Sequence, residues 1–194
     1  MDQKVIGAVG KNGSGKDTIL DMIADKYGVP SISMGDIVRG IAKEKGIEPT
    51  RFNLNGISAQ YFEQYGNDYF IRIVCDRIDE SDAPFTVVTG IRTYLDAKTL
   101  LDRYGDRFYL VSVIVSDDDE RLKRAMGRGT ARDPKSIDEM RAHDEREEKI
   151  FGIDKAAALA QFTMKNDGTL QDLRDQVENW VKEQFPELLA ANRS

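Results

Sequence analysis

The chain has 194 residues, of which 40% are hydrophobic and 32% charged, with a formal net charge of −6. This length suits one folded domain. No apolar run approaches the ~18 residues of a membrane span, which argues against an integral membrane protein. The acidic balance argues against a polynucleotide partner, because binding a phosphate backbone needs a broad basic surface.

Two rare residue types narrow the chemistry further. Cys75 is the only cysteine and His143 is the only histidine, so an internal disulfide and a histidine-based metal cluster are both excluded. The first residues pass directly into an apolar run, and we expect no signal peptide. These features predict a cytoplasmic protein, a monomer or homodimer, that works on small molecules.

Apolar runs alternate with helical spacing along the chain, which predicts a parallel sheet wrapped by helices. The predicted strands are 4–9, 31–33, 84–90, 108–115 and 162–165. The predicted helices are 16–26, 36–45, one long helix across 57–78, 94–104, 117–126, 136–150 and a last one from 170. Residues 46–55 are predicted to be a connection and 186–194 a tail. Capping boxes are expected where a hydroxyl precedes an acid by three positions, at Ser116 with Asp119, Ser136 with Glu139 and Thr169 with Asp172.

The most informative segment is GKNGSGKDT at positions 10–18, between the first strand and the first helix. Strand, glycine-rich loop and helix are the context of a P-loop, whose backbone N–H groups surround an oligophosphate. The helix dipole favours the same anion, and the lysine charge follows the transferring phosphate. The residues predicted to bind the phosphates of ATP or GTP are Gly10, Asn12, Gly13, Ser14, Gly15, Lys16, Asp17 and Thr18.

The residue after the lysine departs from the usual motif. A Ser or Thr that ligates Mg²⁺ is common there, whereas this chain has Asp17, followed by Thr18. Mg²⁺ favours carboxylate and water oxygens, so Asp17 and Thr18 are candidate metal ligands. Asp17 could equally stabilise the start of the helix as an acid in its first turn. Both interpretations of Asp17 remain open at this point.

Two arginines follow strand ends and suit an anionic ligand. Arg39 lies in SMGDIVR after the second strand, and Arg92 lies in TGIR after the third. Ligands of parallel α/β sheets bind outside these carboxyl ends, and arginine donates two hydrogen bonds at once to a phosphate. The alternative is surface ion pairing with Asp36 or Asp96.

These segments resemble nucleoside monophosphate kinases, and the resemblance covers residues 4 to about 182. SMGDIVR is similar to the adenylate kinase segment that grips the acceptor phosphate, and TGIR to a shortened form of that family's second acceptor segment. NDGTL at 166–170 resembles the loop near the donor base in adenylate kinases and dephospho-coenzyme A kinases. The resemblance implies acceptor contacts from Met34, Gly35, Asp36, Arg39, Gly90 and Arg92, and donor contacts from Asn166 and Gly168.

The resemblance also implies a short lid at 127–135 and an acceptor-binding insertion at about 36–80, within one kinase domain over 1–185. Its catalytic arginines would be Arg128 and Arg132 of the lid, with Arg141 or Arg146 on the following helix, beside Lys16. One departure is Thr89, which stands where the family has an acid that supports the metal.

The predicted fold is therefore a three-layer α/β P-loop NTPase fold with a five-stranded parallel sheet. The predicted activity is ATP-dependent phosphoryl transfer, with Mg²⁺, to a small phosphorylated acceptor such as a nucleoside or deoxynucleoside monophosphate. Two alternatives stay open. One is transfer to a hydroxyl, as in dephospho-coenzyme A kinase, and the other is a nucleotide-binding sensor without turnover.

Overall fold

The sheet of the computed structural model, which describes residues 3–127 and 136–191, has five strands. All neighbouring strands run parallel, in the order β2-β3-β1-β4-β5. The strands are β1 (Lys4–Val9), β2 (Ser31–Ser33), β3 (Phe85–Thr89), β4 (Phe108–Ile114) and β5 (Phe162–Lys165). The predicted parallel sheet is confirmed, with strand ends within one residue of the expected positions.

Helices follow the strands and cover both faces of the sheet. They are α1 (Lys16–Tyr27), α2 (Met34–Glu44), α3 (Arg51–Tyr65), α4 (Tyr69–Asp79), α5 (Tyr94–Tyr104), α6 (Asp118–Met126), α7 (Ile137–Phe151), α8 (Ile153–Ala157), α9 (Leu170–Gln184) and α10 (Pro186–Ala191). Within the described ranges, no helix has the length and apolar character needed to cross a membrane.

The region between β2 and β3 differs from the prediction. The expected connection over 46–55 ends early, because Thr50 caps α3 by accepting a hydrogen bond from the Asn53 amide at 3.2 Å. The single long helix expected across 57–78 is two helices. They are separated at Gly66, whose φ of +95° is a left-handed conformation that other residues rarely adopt.

Two further predictions about helix ends were wrong. Ser116 does not cap α6; Asp117 does, and its carboxylate accepts from the amides of Asp119 and Glu120. The backbone and hydroxyl of Ser116 bind Asp167 instead, each at 2.7 Å. The expected tail is helical over Pro186–Ala191, with Leu188 buried against the core. The capping box of Thr169 with Asp172 is confirmed.

The core lies in two layers, one on each face of the sheet. Val5 and Val9 of β1 pack with α2, α4, α5 and α8, whereas Ile6 and Ala8 pack with α1, α9 and α10. The alternation of side chains along a strand explains the division. Because helices cover both faces of the sheet, β1 is buried along Val5–Val9, and this explains why its sequence there is an unbroken apolar run.

The topology places the candidate site at the end of β1. The chain leaves β1, builds β2 and β3 on one side of it, and then crosses to build β4 and β5 on the other side. Ligands of open α/β sheets bind at such a switch point, beyond the carboxyl ends of the strands. Residues 10–15 follow β1 at this position.

Candidate phosphate-binding site

The glycines of residues 10–15 allow close packing that any side chain would prevent. A Cβ on Gly10 would lie 2.4 Å from the Val113 oxygen, and one on Gly15 would lie 2.5 Å from the Asn166 amide nitrogen. Gly13 and Gly15 also have φ values of +82° and +96°. The loop is therefore drawn tightly against β4 and the segment after β5, as the P-loop interpretation requires.

The loop ends at the start of α1 in a way that suits an anion. Gly15 is the N-cap, so no side chain caps the first turn, and the first-turn N–H groups stay available to a ligand. A cavity of about 230 Å³ opens there, lined by Gly13, Gly15, Lys16, Asp17, Thr18 and Asp21. Lys16 is 7% exposed, and its Nζ lies 3.7 Å from Asp17 Oδ2.

Three residues predicted to bind donor phosphates do not line this cavity. Gly10 packs on β4, Ser14 is 1% exposed, and the Asn12 amide donates to Glu147 at 2.7 Å. These three residues stabilise the loop outside the lining of the cavity. Of the predicted residues, Gly13, Gly15, Lys16, Asp17 and Thr18 line the cavity, and Asp21 lines it without having been predicted. Their role in binding phosphates stays a prediction.

A buried arginine that does not line the cavity also binds the loop. Arg121 of α6 is 2% exposed, and its NH1 donates to the Asn12 backbone oxygen at 2.6 Å. Its remaining donors reach Asp118 at 2.9 Å and Asp144 of α7. Burial lowers the pKa of the Arg121 guanidinium, but the two carboxylates outweigh burial and raise it overall.

The segment after β5 also supports the loop. The Asn166 side-chain amide donates to the Ser14 backbone oxygen at 2.9 Å. Arg124 of α6 donates to the Asn166 oxygen at 2.6 Å and to the Gly168 oxygen at 3.3 Å. Asn166 thus contacts the phosphate loop itself, and the donor-base role given to Asn166 and Gly168 stays a prediction.

The segments after β2 and β3 lie side by side. A Cβ on Gly90 would lie 3.4 Å from Met34 Cβ and 3.8 Å from the Gly35 nitrogen, and Gly90 has a φ of +90°. The Arg39 guanidinium lies over Gly35, with NH1 3.1 Å from where its Cβ would be. Arg39 Nε also donates to Asp36 at 2.9 Å, so the ion pair considered as an alternative is present.

Arg92 lies at the edge of the same region and faces α7. Its NH1 is 3.5 Å from Glu147 Oε1, and its guanidinium carbon is 5.8 Å from the Phe151 ring centroid. Asp96 fixes the backbone here by accepting from the amides of Arg92 at 3.3 Å and Thr93 at 3.0 Å. Burial raises the pKa of the Asp96 carboxyl despite these hydrogen bonds.

Four arginines are predicted to be catalytic, and two of them, Arg128 and Arg132 of the predicted lid, lie outside the described residues. The other two do not line the cavity. Arg141 donates to Asp119 of α6 at 2.7 Å, and Arg146 is exposed. The face of α7 that meets the phosphate loop instead carries Asp144 and Glu147.

Sequence reasoning missed the two residues that join these elements, Arg121 and Glu147. Both stand in highly charged segments that resemble a solvated helix face. A usable signal for Glu147 was its spacing from Met140, because positions seven apart share a helix face and both side chains are buried. Arg121 stands near two other basic residues, Lys123 and Arg124, and no local pattern marks it as buried.

The residues at the cavity could give a Mg²⁺ ion only a few of its ligands. Among the described residues, no group of three or more His, Cys, Asp or Glu side chains could hold a metal by itself. Mg²⁺ usually needs only one or two protein oxygens, with phosphate and water oxygens completing its shell. Asp17 and Thr18 at the cavity could supply these oxygens, and the side chain of Asp17 is 58% exposed.

Comparisons with known proteins agree with this geometry. A family model described as an AAA domain matches residues 9–141. A UPF0200 protein of Thermococcus sibiricus is 31% identical over 176 residues, covering 90% of this chain and 92% of that protein.

Solved structures show the same fold at low sequence identity. A shikimate kinase from Acinetobacter baumannii, in complex with shikimate, has a TM-score of 0.57 at 15% identity, covering 98% of this chain and 94% of that one. A gluconokinase from Sinorhizobium meliloti has a TM-score of 0.58 at 13% identity, covering 98% and 97%. The chain therefore has the fold of P-loop kinases, and it belongs to the AAA-domain family and to the UPF0200 proteins.

Proposed function

We propose that the protein transfers a phosphoryl group from ATP to a small phosphorylated acceptor, namely a nucleoside or deoxynucleoside monophosphate. The observation that carries this proposal is the pair of arginines beyond β2 and β3, beside a phosphate loop. The side chains of Arg39 and Arg92 are 41% and 44% exposed. Each therefore keeps donors accessible to a ligand in addition to its carboxylate partner.

The chemistry needs little covalent participation by the protein. An oxygen of the acceptor phosphate attacks the γ-phosphorus of ATP, and the bond from that phosphorus to the bridging oxygen of ADP breaks. Catalysis then depends on in-line placement and on positive charge around the transferring group. Lys16 and the first turn of α1 supply that charge on the donor side, and Arg39 and Arg92 hold the acceptor. Bound Mg²⁺ neutralises charge on the donor phosphates.

No catalytic base is required for such an acceptor, because a phosphate monoester is already ionised near neutral pH. The only histidine of the sequence, His143, lies on α7 among charged residues.

A second candidate is transfer to a hydroxyl acceptor. The Asp36 carboxylate favours it, because this side chain is 65% exposed on the same helical turn as Arg39. A carboxylate there could accept the hydroxyl proton as the oxygen attacks phosphorus. The two similar structures described above carry the names of kinases for shikimate and gluconate, which adds weight to this candidate as an acceptor class.

The test is a transfer screen read by phosphorus NMR. The protein is incubated with Mg²⁺ and either ATP or GTP, against all nucleoside and deoxynucleoside monophosphates, dephospho-coenzyme A and shikimate. The proposal predicts that, with at least one acceptor monophosphate, its resonance is lost and its diphosphate appears in addition to the ADP or GDP left by the donor. A new phosphomonoester of dephospho-coenzyme A or shikimate, formed beside ADP or GDP, would support the hydroxyl candidate. Orthophosphate with ADP or GDP as the only products, or no product, would contradict both and favour a nucleotide sensor.

A further inference from the structure

Helix α7 is joined to the phosphate loop at two successive turns. Glu147, which is 6% exposed, accepts from the Asn12 side-chain amide at 2.7 Å. One turn earlier, Asp144 pairs with Arg121, which donates to the Asn12 backbone oxygen. The side chain and the backbone of Asn12 are therefore both held by α7, one directly and the other through Arg121.

The same Glu147 carboxylate also faces the acceptor segment. Its second oxygen lies 3.5 Å from NH1 of Arg92, and Phe151, one turn further along α7, lies under the guanidinium. These contacts fix one side of Arg92 and leave the rest of the group accessible. One buried side chain is thus shared between the donor loop and the arginine that we assign to the acceptor.

A shared carboxylate transmits movement because its two oxygens cannot move independently. Phosphates that enter the loop act on the backbone of residues 10–15, and Asn12 is part of that backbone. A shift of Asn12 changes the orientation of Glu147 and hence the position of Arg92. Burial strengthens this link, because a charged group with little access to water depends on its protein partners.

We propose that Glu147 is a positioning residue that couples the donor site to the acceptor site, so that nucleotide in the P-loop orders Arg92. The assignment of Arg92 to the acceptor rests on the proposed function, whereas the link from the P-loop to Arg92 does not. Coupling between sites is reciprocal. Donor binding is therefore expected to tighten acceptor binding by about 5- to 20-fold.

Hydrogen exchange of the full chain with one ligand tests the link directly. The probe is the non-hydrolysable ATP analogue adenylyl imidodiphosphate with Mg²⁺, at saturation. In the wild type, protection should rise at residues 10–18 and also at residues 90–96. Glu147→Gln keeps an oxygen acceptor for Asn12 but removes the negative charge that faces Arg92. In this variant the protection at 10–18 should remain and that at 90–96 should be lost.

The matched control is Glu145→Gln, which removes one negative charge from an exposed position of the same helix. It should behave as the wild type. If Glu147→Gln does not fold, Asn12→Ala cuts the same link from the loop side. The Asn12 variant is compared with the wild type at a saturating concentration of the analogue. It should show the same loss of protection at residues 90–96. Equal protection of 90–96 in the variant and the wild type, or none in the wild type, would overturn the proposal.

Measurements of turnover distinguish a failure of this coupling proposal from a failure of the proposed function. With an acceptor found by the screen, Glu147→Gln should raise the acceptor KM measured at saturating donor by the same 5- to 20-fold, with a smaller change in kcat. An unchanged KM would overturn the coupling and leave the kinase assignment intact. If no acceptor is phosphorylated but the exchange pattern holds, the coupling stands and the proposed function fails.

Discussion

Arg121 donates a hydrogen bond to the backbone oxygen of Asn12 at 2.6 Å, although the two residues are 109 positions apart in the sequence. The guanidinium is almost fully buried and also binds Asp118 and Asp144. Its donors thereby join β1's phosphate loop to α6 and α7. The shape of the loop depends on this contact as well as on its glycines.

Arg121→Met should destabilise the fold more than any exposed arginine substitution. It leaves Asp144, only 13% exposed, without its cation. Loss of one partner from a buried pair costs about 3–5 kcal/mol of unfolding free energy. The melting temperature should fall by about 6–20 °C for a chain of this length.

The matched control for this prediction is Arg141→Met. Arg141 pairs with Asp119 in solvent, and exposed pairs contribute at most about 1 kcal/mol. Thermal unfolding by circular dichroism compares the two variants. Equal losses of stability would show that Arg121 has no special role in the loop.

The acceptor arginines should affect one ligand only. Arg39→Ala and Arg92→Ala each remove a charged, bidentate donor, a loss of about 1.5–3 kcal/mol or roughly 10- to 150-fold in acceptor affinity. Donor affinity in the absence of acceptor should change little. Calorimetric titration with the analogue and with the acceptor measures the two separately.

Arg174→Ala serves as the control for the acceptor arginines, because Arg174 is an exposed arginine of α9, outside the predicted acceptor-binding insertion. It should leave both affinities unchanged. If Arg39→Ala and Arg92→Ala weakened donor and acceptor binding equally, the model of two separate phosphate sites would be wrong.

Lys16→Ala should remove most turnover while the protein stays folded. The lysine charge acts on the phosphoryl group during transfer, so kcat should fall by on the order of 100-fold or more, with a smaller loss of donor affinity. Lys26→Ala, at the other end of the same helix, is the control and should retain activity. Wild-type kcat in the Lys16 variant would contradict the assignment of the loop.

Asp21 gives a prediction about pH. Asp21 is an exposed residue, but partial loss of hydration and the neighbouring charges of Asp17 and Asp25 raise the pKa of its carboxyl. An acid whose pKa is raised by folding stabilises the fold only when protonated, and this contribution is lost as the pH rises through the folded pKa. Asp21→Asn should therefore raise the melting temperature at pH 7, and the gain should disappear below about pH 4.

The control for this prediction is Asp175→Asn, on α9. A gain in the Asp21 variant that is the same at pH 3 and pH 7 would contradict this explanation.

The sequence predicted the sheet and the phosphate loop because both follow from local patterns. The mostly apolar strand Lys4–Val9 and the glycines at 10, 13 and 15 can each be recognised from residues that are close together in the sequence. The break at Gly66 was missed, since helical spacing continues across it from Tyr61 to Phe70 and only the backbone conformation shows the turn.

The contacts that connect α6 and α7 to the phosphate loop could not be predicted, because they join residues that are distant in sequence. Glu147 is one of several acids in a charged helix, and its burial follows from how α7 packs on the loop. The same packing decides that Arg141 meets Asp119 rather than the phosphate loop. Apart from the seven-residue spacing of Glu147 from Met140, no local pattern distinguishes these outcomes.

The central claim is that one chain holds two phosphorylated ligands at once, and calorimetry of the donor-saturated protein tests it most directly. The protein is filled with adenylyl imidodiphosphate and Mg²⁺ and then titrated with each nucleoside monophosphate. We predict that at least one of them binds with a stoichiometry of one per chain, and that Arg39→Ala and Arg92→Ala weaken this step. If no nucleoside monophosphate binds to the saturated protein, the site holds a single nucleotide and the account is contradicted.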